Sequence, residues 1–153
     1  LFQRMQQIQD LKQRSLFENV RVADFLIEKD RLFAQVNLSN EELDLYEKVY
    51  EHITIDAPTP DLVIYLQAPI DTLKERITKR GNINEQYLTL EYLEKLNDAY
   101  SRFFLDYESA PLLIINASDI NLESNEEDYE ALITMIVSNP KGKNFVNPQP
   151  SII

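Results

Sequence analysis

The chain has 153 residues, 26 of them acidic and 15 basic, and its formal charge of −11 excludes a general nucleic-acid binder, which needs a basic field. It has no Cys and one His, which excludes disulfides, thiolate metal sites and a histidine-rich zinc site. Apolar residues make up 44%, enough for the core of one domain, but no apolar run reaches the roughly 18 residues of a membrane span and no signal peptide is visible, so a cytoplasmic protein with no membrane partner is expected.

Residues 1–13 are polar, with Leu1, Met5, Ile8 and Leu11 at helical spacing, and predict the tail of a longer helix. Residues 17–23 alternate and predict a short strand. Helical spacing returns over 24–36 through Phe25, Leu26, Leu32, Phe33 and Val36. Ser39 followed by Glu42 has the form of a capping box, in which each residue satisfies a backbone N–H of the other. The helix it opens carries Leu43, Leu45, Tyr46, Val49 and Tyr50 and fades near Ile53. Ala57-Pro58-Thr59-Pro60 predicts a rigid linker.

Leu62-Val-Ile-Tyr-Leu66 is a continuous apolar run, expected to be a strand buried on both faces in a parallel sheet. Pro69 suits a first helical position, and the helix it starts is expected to stop at Gly81. Residues 82–89 have no pattern. A long helix is predicted over 90–107, then a second buried strand at Leu112-Leu-Ile-Ile115, a loop at 116–124, and a helix from the Ser124/Glu127 capping signature to about Val137. The tail from Asn139 is rich in Pro and Gly and is expected to drape over the surface or stay disordered. Buried strand, helical crossover, buried strand, helix is the order of an α/β fold with a parallel sheet, whose ligands sit at the carboxyl ends of the strands.

The stretch richest in chemistry is Arg76-Ile-Thr-Lys79-Arg80-Gly81-Asn82-Ile-Asn-Glu85-Gln86. Arg76 and Arg80 are four apart and share a helix face. Two planar donor forks beside a flexible segment suit phosphate oxygens, and residues 74–80 are the densest basic cluster in this acidic chain. Cations at a helix C-terminus also suit the helix dipole with no ligand at all. Glu85 reads equally as a solvated loop acid or as an acceptor for a sugar hydroxyl under a closing lid. Asp24 is expected at the N-cap of the 24–36 helix, either as a simple cap or as a general base facing a hydroxyl. Asp30 and Arg31 are adjacent, so they do not share a face, and either can point into a cleft. Tyr46, Tyr50, Tyr100 and Tyr107 fall at helical spacing and read as core or interface, and His52 as a partner of its helix dipole.

The segments Phe2-Gln3-Arg4, Ala23-Asp24-Phe25-Leu26, Lys29-Asp30-Arg31-Leu32-Phe33-Ala34, Asp61 to Ala68, Arg76 to Gln86 and Leu90 to Asn97 together resemble the deoxyribonucleoside kinases, in particular the bacterial deoxyadenosine/deoxyguanosine kinase group. The resemblance runs from residue 1 to about 137. It implies a P-loop kinase-type three-layer α/β fold that transfers the γ-phosphate of ATP, with Mg²⁺, to the 5′-hydroxyl of a deoxynucleoside in nucleotide salvage, purines favoured, in a homodimer. By this resemblance Asp24 is the base, while Arg76 and Arg80 contact the donor phosphates and adenine. Glu85 holds the sugar 3′-hydroxyl, Asp30 and Arg4 lie near the nucleobase, and the loop from Asn116 through Asp119 and Ile120 lines the adenine.

Two departures stand out. Many members carry Arg after the catalytic acid, where this chain has Phe25, and a further lid Arg is replaced by Asn82. The two glycines, Gly81 and Gly142, cannot write a G-x-x-x-x-G-K-[ST] phosphate loop. The expectation is therefore a C-terminal portion (residues 1–138 of kinase domain, 139–153 of tail) that lacks the N-terminal strand and phosphate loop and is inactive by itself. The rival expectations are a thymidylate-like nucleoside monophosphate kinase, which wants more cations near Asp24 and Asp30 than Lys29 and Arg31, and a non-catalytic dimerisation module built on the aromatic stripes of the helices at 40–54 and 90–107.

Overall fold

The computed structural model describes residues 2–12, 20–54, 57–85, 87–118, 125–138 and 140–147. The chain divides into two compact units, 1–59 and 60–153, and the boundary falls within the predicted Ala57–Pro60 linker.

Among the described residues the first unit holds three helices: α1 (Phe2–Lys12), α2 (Ile27–Asn37) and α3 (Asn40–Thr54). Ile8, Leu32, Ala34 and Tyr50 are its buried apolar side chains. The α2–α3 connection is only Leu38-Ser39, so the two helices run back along one another. Ser39 closes the predicted box: its N–H donates to Glu42 Oε2 at 2.9 Å, and Glu42 N–H donates to Ser39 Oγ at 3.4 Å. The Ser39 N–H, and after it the Ser39 hydroxyl donating to the same Oε2 at 2.8 Å, hold the Glu42 carboxyl below its ordinary value. His52 sits in the last turn of α3 with Nδ1 donating to the Lys48 carbonyl at 2.7 Å.

Two expectations in this unit need correction. Helix α2 begins at Ile27, with Leu26 as its N-cap and no side-chain cap bond, so Asp24 lies on the bend before the helix and does not cap it. The apolar Phe25 and Leu26 carry helical spacing, but both precede the first helical turn. Among the described residues of the predicted 17–23 strand, 20–23 form none: Val20 and Val22 are 79% and 93% exposed, so no core face exists for their alternation to bury. Residues 17–19 lie outside the described part.

In the second unit a three-stranded parallel sheet has the order β1 (Val63–Gln67), β2 (Leu112–Asn116), β3 (Lys143–Val146). Val63 pairs with Leu112 and Gln67 with Asn116; Leu112 pairs in turn with Lys143 and Ile115 with Val146. Helices α4 (Ile70–Arg80) and α5 (Leu90–Leu105) form the β1–β2 crossover, and α6 (Glu126–Val137) the β2–β3 crossover. Central β2 is buried as expected, with Leu112, Leu113 and Ile115 at 1–2% exposure, each such side chain contributing roughly 1.5–3 kcal/mol. Strand β1 is not buried on both faces. Val63 is buried and Tyr65 turns toward α5, its ring centroid 4.2 Å from that of Phe104, whereas Ile64 and Leu66 are 38% and 49% exposed. With α5 packed against the Tyr65 side, successive side chains of β1 alternate between a covered and an open face among the described residues.

Helix ends explain the rest. Pro69 is the N-cap of α4, and Gly81 ends the helix in the left-handed region (φ 65°), donating its N–H to Ile77 O at 3.2 Å. Thr89 Oγ1 caps α5 by accepting from Tyr92 N–H at 3.2 Å. Helix α6 is capped by Asn125, whose Oδ1 accepts from Glu127 N–H at 3.1 Å; the predicted cap, Ser124, lies outside the described residues. The expectation of a surface-draped or disordered tail is also corrected, over residues 140–147. Gly142, at φ 69°, turns the chain so that its carbonyl accepts from Leu112 N–H at 2.9 Å, and Lys143–Val146 then pairs with the open edge of β2. Lys143 Nζ donates to the Leu105 carbonyl.

Candidate active site

In the second unit the candidate residues gather after the strands and at the end of α4. The carboxyl end of β2 is fixed by Ala117 N–H donating to Gln67 O at 2.7 Å, and by Asn116 Oδ1 accepting from Ser118 N–H and Oγ at 3.1 and 2.6 Å. Arg76 Nη2 donates to the carbonyl of that same Ala117 at 2.5 Å. Its guanidinium is thus anchored where an α/β sheet receives ligands. One turn later Arg80 Nη1 donates to Glu85 Oε1 at 3.1 Å across the Gly81 turn, and Asn82 Nδ2 stands 3.4 Å from the same oxygen. The short helical turn Ile83–Glu85 makes this closure possible, with Glu85 N–H on Asn82 O at 3.0 Å. Glu85 Oε2 is buried and has no hydrogen-bond partner among the described residues. Asp119 and Ile120 lie outside the described residues, as does Gln86.

In the first unit, Arg4 of α1 places its guanidinium carbon 5.1 Å from the centroid of the Phe25 ring, a cation–π seat. Phe25 stands where an Arg was expected from the resemblance and holds an arginine from another helix instead. Lys29, half-buried on α2, is pushed below the ordinary lysine value by burial and by Arg4, with Asp24 opposing the shift. Arg4, Asp24, Phe25 and Lys29 therefore form one electrostatic neighbourhood around the exposed Asp24. Asp30 accepts a hydrogen bond from the Tyr46 hydroxyl at 3.1 Å, and Arg31 Nε donates to Glu47 at 2.7 Å. Adjacent residues of α2 thus engage adjacent residues of α3.

The sequence pointed to Tyr46 only as core or interface, and it did not point to Glu47, the partner of Arg31, or to the Ala117 carbonyl. Asp30 and Tyr46 are equidistant from Leu38, the turn about which the helices fold back, and that spacing is the signal for their pairing. The aromatic stripes are engaged within the chain. Tyr46 stacks on Tyr50 at 5.7 Å, and Tyr100 and Phe103 pack with Tyr65, Phe104 and Tyr107. Among the described residues no cluster of three or more His, Asp or Glu side chains could hold a metal ion, and no helix is long and apolar enough to cross a membrane.

A family model described as deoxynucleoside kinase matches residues 1–139. The chain belongs to the deoxynucleoside kinase family. Among its relatives, deoxyguanosine kinase of Bacillus subtilis (strain 168) is 31% identical over 137 residues, covering 86% of this chain and 66% of the relative. Deoxyadenosine kinase of Lactobacillus acidophilus is 30% identical over 126 residues, covering 73% and 59%. The chain thus spans less than two thirds of the length of either. The structure of deoxyadenosine kinase from M. mycoides with bound dATP superposes with a TM-score of 0.69 at 24% identity, over 89% of this chain and 74% of that one. The parallel strands and helical crossovers of this family member are accordingly those of a P-loop kinase fold.

Proposed function

We propose that the whole protein transfers the γ-phosphate of ATP to the 5′-hydroxyl of a deoxynucleoside, purines favoured, in nucleotide salvage. Support comes first from family membership and from relatives named for deoxyguanosine and deoxyadenosine. The observation that carries the reading is the end of α4, where Arg76 is anchored on the Ala117 carbonyl and Arg80 on Glu85 Oε1, while Glu85 Oε2 has no hydrogen-bond partner among the described residues. Phosphoryl transfer is mostly positioning and charge neutralisation, and this arrangement suits both.

In this reading Asp24 takes the proton of the 5′-hydroxyl as its oxygen bonds to the γ-phosphorus and the bond to ADP breaks. Its exposed place before α2 suits an acid that must meet substrate. Arg76 and Arg80 bind donor phosphates, Glu85 accepts the sugar 3′-hydroxyl through Oε2, and Asp30 and Arg4 meet the nucleobase. Asp119 and Ile120 belong to the adenine loop. The described side chains offer no cage for Mg²⁺, which enters this account as a companion of the ATP phosphates. The glycine-rich loop that cradles phosphates is not written in these 153 residues. The kinase portion is taken as 1–138, with 139–153 an appendage that β3 fastens to the sheet. A cytoplasmic homodimer completes the proposal, by family resemblance.

A monophosphate acceptor is less well served. Arg31 is already paired with Glu47, and burial together with Arg4 disfavours the charged form of Lys29. The test is ATP-dependent phosphorylation of the four deoxynucleosides and their monophosphates by the full-length protein. Turnover of dG or dA is expected. Turnover of monophosphates only would overturn the reading.

A further inference from the structure

We propose that Tyr46 is a positioning residue for nucleoside selectivity: its hydroxyl fixes the orientation of the Asp30 carboxylate on the nucleobase side of the site. The inference rests on the assignment of Asp30 to the base. Tyr46 Oη donates to Asp30 Oδ2 at 3.1 Å, a bond that joins α3 to α2. A carboxylate has two oxygens in one plane, so engaging Oδ2 also sets the direction of Oδ1. The tyrosine is itself held, since its ring stacks on that of Tyr50 at 5.7 Å and Tyr50 is only 9% exposed. The neighbouring Arg31–Glu47 pair at 2.7 Å keeps the two helices in the same register.

The chemistry follows from which group donates. Burial, then the nearby Asp30, raises the Tyr46 hydroxyl well above its ordinary value, so it remains a donor throughout any working pH. In this bond the tyrosine donates and the carboxylate accepts. An oriented acceptor prefers a base edge that presents N–H groups, such as the amines of adenine and guanine. It rejects analogues that leave the acceptor unpaired. Without Tyr46 the carboxylate loses the donor that fixes Oδ2, and its preference blurs.

The experiment measures kcat and KM for the deoxynucleosides with the full-length protein and its Tyr46→Phe, Asp30→Ala and double variants. Tyr46→Phe keeps the ring and removes one hydroxyl. Loss of a hydrogen bond to a charged group is expected to raise KM for dG and dA about tenfold, with kcat preserved and the ratio over dT narrowed. In the Asp30→Ala background the same substitution should add no further effect, because Tyr46 acts through Asp30. Unchanged kinetics in Tyr46→Phe would overturn the inference. So would an equal loss in both backgrounds, or a fall in kcat matched by a lowered melting temperature, the pattern of a merely structural role. If Asp30→Ala itself leaves KM and selectivity unchanged, the assignment of Asp30 fails, and this inference with it.

Discussion

Arg80 and Glu85 face each other across the Gly81 turn, Nη1 to Oε1 at 3.1 Å, and the arginine side chain is 62% exposed. Such a pair contributes little to stability, on the order of 0.2–1 kcal/mol, and is screened by salt. Under the proposed function its importance lies in what the partners do when ligand arrives. Glu85→Gln is expected to move the urea midpoint by an amount equivalent to less than about 1 kcal/mol. The same variant should raise KM for the deoxynucleoside, because a neutral amide is a weaker acceptor for a hydroxyl. Equilibrium unfolding and steady-state kinetics on one preparation separate the two effects.

Gly81 adopts φ 65°, and a Cβ built there would meet nothing within 4 Å. The cost of Gly81→Ala is therefore conformational alone, roughly 1–2 kcal/mol. Its functional effect should appear as a raised KM for ATP, since the turn it distorts carries Arg80. A thermal melt together with ATP titration checks both parts.

The capping box predicts a pH dependence. Ser39 lowers the Glu42 carboxyl in the folded state below its unfolded value of 4.5. A depressed carboxylate stabilises the fold at pH above the unfolded value, and that stabilisation is lost as pH falls through the lower folded value. Ser39→Ala should therefore be less stable than the parent at about pH 7, with the difference shrinking toward about pH 3. Urea unfolding at the two pH values reads this directly.

The core of the second unit is tested at β2. Ile115 is 1% exposed, and Ile115→Ala is expected to cost about 2–5 kcal/mol through lost burial and the cavity left behind. Phe145 on β3 is 67% exposed, and Phe145→Ala should stay within about 0.5 kcal/mol. Comparable losses in both variants would contradict the placement of the core.

The place of β2, the two ends of α4 and the start of α5 were readable from local signals alone: an unbroken apolar run, Pro69 and Gly81 at the two ends of a helix, and a long apolar period from Leu90, although that helix ends at Leu105 and not at 107. Strand β3 was not readable, because its short Lys-Asn-Phe-Val stretch sits among Pro and Gly and becomes a strand by pairing with an open edge distant in sequence. The exposure of Ile64 and Leu66 is also set by contacts distant in sequence, since an apolar run does not say which faces of its strand other elements cover. At the candidate site, the residue types and the Arg76/Arg80 spacing were legible. Their partners were not. The Ala117 carbonyl, the Phe25 seat for Arg4 and the Tyr46 hydroxyl on Asp30 depend on contacts between elements, to which periodicity is blind.

The most direct test of the central claim is Asp24→Asn in the full-length protein, with turnover of dG and dA measured beside nucleoside affinity. The substitution removes a proton acceptor and keeps the shape. The account predicts a fall in kcat of roughly 10²–10⁴-fold, the usual contribution of a general base, with nucleoside affinity retained. Turnover equal to that of the parent would show that Asp24 is not the base and contradict the account.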